Sequence, residues 1–166
     1  MNYLLVDKNE KLIALAEERG LNYEFGDIFE IAELLEERGE HPVICSASNP
    51  KYTFGGGLDA EIVRRYPLEC KNMQQEVAAR PNVGPFRIGD VIFCVTVKED
   101  LSADPYGIDS ALQYAKNAVE EDETLLFTGM GCGIGGLDPK KFVGIVERIF
   151  KEKVEKDPPE PGENGE

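Results

Sequence analysis

The sequence predicts an α/β protein whose central sheet is mixed but mostly parallel, with helices on both faces. Three observations carry that prediction. Short apolar runs rich in β-branched residues alternate with amphipathic stretches from the start of the chain to about residue 150. The run "HPVICSAS" is entirely apolar at its centre, as in a strand buried on both faces, and "VIFCV" is a β-branched-rich apolar run. Two glycine clusters each fall between a strand-like run and a helix-like one. Alternating strands and helices bury their apolar faces together as a three-layer α/β/α domain.

"NYLLVD" reads as a buried strand, and "NEKLIALAEERG" as a helix. Leu12, Leu15 and Ala16 share one face of that helix, with Asn9 as N-cap and Gly20 at the C-terminal end. "LNYEFGDI" predicts a second strand, "FEIAELLEERGE" a helix closed by Gly39, and "HPVICSAS" a third strand. A helix starts at Leu58 and resumes beyond Pro67. Val91 to Val97 predicts a strand, and "GIDSALQYAKNAVEED" a helix starting near Asp109 or Ser110. "TLLFTGM" predicts the last strand, and "PKKFVGIVERIFKEKVEK" the last helix, with Pro139 in its first turn. The expected organisation is one domain over 1–153 and a disordered acidic, Pro/Gly-rich tail over 154–166.

The 32 acidic residues outnumber the 18 basic ones, for a net charge of −14. Phosphate backbones are bound by clustered Lys and Arg, so this balance argues against a nucleic-acid partner. No run of about 18 apolar residues is present, so no membrane span is expected, and the first residues lack the basic region of a signal peptide. Cys45, Cys70, Cys94 and Cys132 show no C-x-x-C spacing. No metal site or cofactor is expected, and a reducing cytoplasm suits this cysteine usage. His41 precedes Pro42 and is expected in a surface turn.

The functional signal lies in "SASNPKYTFGGGLD" and "TGMGCGIGGLD". Glycine is entropically expensive to order, so Gly55, Gly56 and Gly57 in sequence require a reason. Both loops connect a strand to a helix, where backbone N–H groups and a helix N-terminus favour an anion. Such donors permit anion binding in a protein that is acidic overall. Neither loop is followed by the G-K-[ST] of a phosphate-binding loop of that type. The G-x-G-x-x-G from Gly131 to Gly136 lacks the later acidic residue of a dinucleotide fingerprint. Asp27 can cap the next helix or accept a hydrogen bond from a ligand's amino group. Asp59 can be held by the helix dipole alone or can orient a water.

Taken together, "GDIFEIAE", "VICSASNPKYTFGGGLDAEI" and "TGMGCGIGGLDPKKF" resemble the macro domain signature from about Tyr23 to Phe150. In that signature a GDI segment precedes a strand, an N-A-A-N-like turn and GGGVD. The resemblance implies the macro domain's three-layer fold and ADP-ribose as ligand. Asp27 would bind the adenine amino group, with Ile28, Ser48 and Leu58 lining the same site. Asn49 would contact the distal ribose, and Gly55, Gly56 and Gly57 would cradle the pyrophosphate. Gly131, Cys132, Gly133, Ile134 and Gly135 would wrap the phosphates from the other side. Asp59 falls at the acidic position of hydrolytic MacroD-type members, making Asp59 and Asn49 the catalytic candidates. Lys98 matches the lysine of the glycohydrolase branch that removes terminal ADP-ribose from acidic side chains. The sequence departs from the pattern at Ser46, at Val63 where a His is usual, and at Gly135 where an aromatic or an Asp is usual. The resemblance thus leaves a hydrolase of an ADP-ribosyl linkage or of ADP-ribose 1″-phosphate beside a non-catalytic binder of ADP-ribose or related nucleotides. An RNA-binding module is the third reading, and the net charge opposes it.

Overall fold

A computed structural model describes residues 2–49, 58–80, 83–133 and 135–151. Six strands and six helices are present among these residues. The strands are β1 (Asn2–Asp7), β2 (Tyr23–Phe25), β3 (His41–Ser48), β4 (Phe86–Ile88), β5 (Val91–Val95) and β6 (Glu123–Phe127). The helices are α1 (Glu10–Glu18), α2 (Ile28–Glu37), α3 (Leu58–Arg65), α4 (Pro67–Ala79), α5 (Pro105–Ala118) and α6 (Pro139–Phe150).

The sheet order is β2-β1-β6-β3-β5-β4. Every neighbouring pair is parallel except β4–β5, a short antiparallel hairpin at one edge. The period-two alternation of strands divides the core between two faces. Leu5, Val43, Cys45, Ile92, Cys94, Leu125 and Phe127 pack with α1, α5 and α6. Val6, Ile44, Val91, Phe93 and Leu126 pack with α2, α3 and α4. This is the three-layer α/β/α architecture. No helix among the described residues is long and apolar enough to cross a membrane.

Local chemistry sets the helix ends. Asn9 caps α1 through its side chain, which accepts the Leu12 N–H at 3.2 Å. Asp138 caps α6 ahead of Pro139. The helix expected near Asp109 or Ser110 begins earlier, because Asp104 accepts the Gly107 N–H and Pro105 occupies the first turn. Asp109 instead pairs with Arg148 of α6. The second strand is shorter than expected because Asp27 already caps α2. The strand starting at Val91 ends at Val95, and Val97 forms an isolated antiparallel bridge with Ala103. His41 is not in a turn: it is the exposed first residue of β3, 2.6 Å from Asp90 and 3.5 Å from Glu123. The expected tail lies outside the described residues.

Candidate functional site

Strands β3 and β6 are adjacent and parallel, so the connections that follow them leave the same edge of the sheet. This is the carboxyl edge, where ligands of open α/β sheets bind. The β3–α3 connection carries Gly55, Gly56 and Gly57, which lie outside the described residues, as does Ile134. A cleft of about 580 Å³ opens at this edge between the start of α2 and α3. Its lining includes Asp7, Asp27, Ile28, Leu58, Arg65 and Thr128. Three of the expected site residues, Asp27, Ile28 and Leu58, therefore share one cavity.

Asp27 divides its two oxygens. Oδ1 accepts the N–H groups of Phe29 at 2.8 Å and Glu30 at 3.2 Å, capping α2. Oδ2 lies 3.8 Å from Lys8 Nζ, and the side chain is one-third exposed. Capping and ligand recognition are thus compatible at this residue.

Asp59 is buried, with its Oδ1 accepting hydrogen bonds from Ser46 Oγ and Ser48 Oγ, each at 3.0 Å. Burial pushes its carboxyl up to about 6 against the opposing effect of the two hydroxyls. Ser48 therefore contacts Asp59, and the acid ties α3 to the end of β3 immediately before Asn49. Sequence reasoning paired Asp59 with a water and did not pair it with Ser46. The available signal was the alternation Ser46-x-Ser48 in an otherwise apolar strand, which places both hydroxyls on one face.

The loop after β6 uses its glycines in two ways. A Cβ on Gly129 would sit 2.4 Å from Leu12 Cδ2, and its N–H donates to Asp7 Oδ2 at 2.9 Å. Gly131 has φ +80°, and a Cβ there would meet Ile108 Cδ1 at 2.7 Å. A Cβ on Gly135 would lie 2.9 Å from the Gly131 carbonyl oxygen. Internal packing accounts for these three. Gly133 differs: its φ is not positive, and a Cβ would have no described atom within 4 Å. Cys132 is half-buried, and burial with nearby Asp7 and Asp138 pushes its thiol up to about 12. Both effects disfavour the thiolate, the form that acts as a nucleophile.

Lys98 lies on an exposed turn at the same edge. Its N–H donates to the Ser102 carbonyl at 2.8 Å, and its carbonyl accepts the Leu101 N–H at 2.9 Å. The Ala103 N–H donates to the Gly135 carbonyl at 2.9 Å, which pins this turn to the glycine loop. Lys98 forms no salt bridge among the described residues. At the opposite edge, His41, Asp90 and Glu123 bring their ligand-type atoms within 4.8 Å of one another. Arg87 already occupies that cluster, donating to both Glu123 carboxylate oxygens at 2.7 Å.

No protein-family model and no curated protein sequence matches the chain. Solved structures do. The macrodomain of Mycobacterium tuberculosis DarG is similar with a TM-score of 0.63 and 19% identity, over 78% of this chain and 88% of that one. A macrodomain protein from Streptomyces coelicolor is similar with a TM-score of 0.53 and 14% identity, over 68% and 82%. Thermosipho africanus DarTG, solved in complex with ADP-ribose, gives a TM-score of 0.53 and 18% identity, over 68% of this chain and 35% of that one. The strand order, the layers and these likenesses agree: the chain has the macrodomain fold.

Proposed function

We propose that this protein binds ADP-ribose in the cleft between α2 and α3, with the adenine at Asp27. The observation that carries this reading is the division of Asp27: one oxygen caps α2, and the other remains at the cleft for an amino donor. The solved complex of T. africanus DarTG with ADP-ribose supports the choice of ligand. Gly133 supports it independently. Among the described residues no atom lies within 4 Å of a Cβ built there, which leaves room for close approach by a phosphate. Gly55–Gly57 would cradle the pyrophosphate from the β3 side, and Asn49 would meet the distal ribose. Backbone donors reconcile an anionic ligand with the net charge of −14.

Hydrolysis of an ADP-ribosyl linkage or of ADP-ribose 1″-phosphate is the reaction we assign to the distal-ribose end. Asp59 has a pKa near neutrality, which suits a general base, but its Oδ1 is engaged by two serines. Its role is then to hold Ser48 and Asn49 against the ribose. Lys98 is the exposed alternative on the turn pinned to Gly135. The burial of Asp59 also favours a second reading, a non-catalytic binder of ADP-ribose. Turnover of mono-ADP-ribosylated protein and of ADP-ribose 1″-phosphate separates the two. Loss of activity in Lys98→Ala with retention in Asp59→Asn assigns the lysine-dependent route. No turnover by wild type alongside measurable binding assigns the binder.

A further inference from the structure

Arg65 bridges the two walls of the cleft. Its Nη1 donates to Glu33 of α2 at 2.8 Å, and its Nε donates to Glu61 of α3 at 3.3 Å. Its guanidinium carbon lies 4.7 Å from the centroid of the Phe29 ring, within cation–π range. Phe29 is itself buried, and its N–H is one of the two that cap onto Asp27. A continuous set of contacts therefore runs from the Asp27 carboxylate through Phe29 to the guanidinium of Arg65. Arg65 still keeps 36% of its side chain exposed and lines the cleft.

Arg65 spends its Nε donor and one Nη1 donor on two carboxylates, so a phosphate could take those two donors only by displacing Glu33 or Glu61. Its guanidinium carbon sits over the Phe29 ring, and guanidinium planes stack on both aromatic rings and nucleobases. We propose that Arg65 is the stacking surface for the purine of the bound nucleotide, held at a fixed height by Phe29, Glu33 and Glu61. This inference rests on the nucleotide reading above and adds a specificity-determining residue to it.

Arg65→Lys is the informative variant, because lysine keeps the charge and the reach to both carboxylates but has no plane. Calorimetry would compare wild type, Arg65→Lys and Arg65→Ala with ADP-ribose, AMP and the base-free probe ribose 5-phosphate, the last by competition. Thermal melts of each variant would report folding. Stacking predicts that Arg65→Lys weakens ADP-ribose and AMP about 10-fold or more while leaving ribose 5-phosphate unchanged. Full ADP-ribose affinity in Arg65→Lys would overturn the inference, as would an equal loss for ribose 5-phosphate. Wild type that binds none of the three would overturn the nucleotide reading itself.

Discussion

The Ser48 hydroxyl donates to the Asp59 carboxylate at 3.0 Å, which locks the last residue of β3 to the first turn of α3. The same oxygen accepts Ser46 Oγ, yet burial still holds the carboxyl at about 6. The fold therefore tolerates a buried charge beside the candidate ribose position.

That charge gives a pH-dependent prediction. The folded pKa of Asp59 is raised above its ordinary value, so the folded state binds the proton more tightly than the unfolded chain. Stability from this residue is present below the unfolded pKa and is lost as pH rises through about 6. The loss amounts to about 3 kcal/mol above that range. Asp59→Asn keeps the acceptor for both serines and removes the charge. Its denaturant midpoint is expected to exceed wild type at pH 8 and to match it near pH 4. An equal difference at both pH values would contradict the account.

Asp27 should separate folding from binding. Asparagine caps helices about as well as aspartate, whereas alanine loses about 1 kcal/mol. Asp27→Asn is therefore expected to melt like wild type and Asp27→Ala to melt lower. Both variants lose the acceptor facing the cleft, and both should bind ADP-ribose about 10-fold or more weakly. Unchanged affinity in Asp27→Asn would reduce Asp27 to a helix cap.

The glycines of the second loop should divide in the same manner. Gly131→Ala meets Ile108 and a positive φ, so it should destabilise the fold by about 1–3 kcal/mol. Gly133→Ala meets no described atom and should leave the melting temperature unchanged or slightly raised. Gly133→Val should keep the fold and weaken ADP-ribose. Calorimetry and thermal melts on the same samples check both halves.

At the opposite edge, Arg87 and Glu123 form a bidentate pair in which Glu123 is 6% exposed. The Arg87 guanidinium is the main reason the Glu123 carboxyl falls to about 2. A depressed carboxyl contributes stability above its unfolded pKa and loses it as pH falls towards 2. Glu123→Gln leaves Arg87 only the more distant Asp90, at 3.9 Å, as an ion-pair partner among the described residues and should cost about 3 kcal/mol at neutral pH. ADP-ribose affinity should not change, because the pair lies across the sheet from the cleft.

Much of this was legible in the sequence. The bounds of β3 follow from its apolar run, and the α6 start from Pro139 in its first turn, because local burial and helix-start chemistry decide them. The capping role of Asp27 was legible from spacing for the same reason, whereas the site position of Leu58 came only from the macro domain resemblance. The start of α5 was expected near Asp109 or Ser110, although Asp104 followed by Pro105 is a local start signal of the same kind as at α6; Asp109 instead pairs with Arg148. The Asp59–serine contacts and the Arg65 bridge were also hidden. They join β3 to α3 and α2 to α3; the alternation Ser46-x-Ser48 sets both hydroxyls on one face, but nothing local names Asp59 or Glu33 as the partner across elements. His41 was misread because its partners, Asp90 and Glu123, come from distant segments brought together by the sheet register.

The most direct test is a calorimetric titration of wild type and Asp27→Asn with ADP-ribose at moderate salt. The account predicts saturable one-site binding by wild type and a loss of about 10-fold or more in Asp27→Asn at equal thermal stability. A folded wild-type protein that shows no ADP-ribose binding would contradict it.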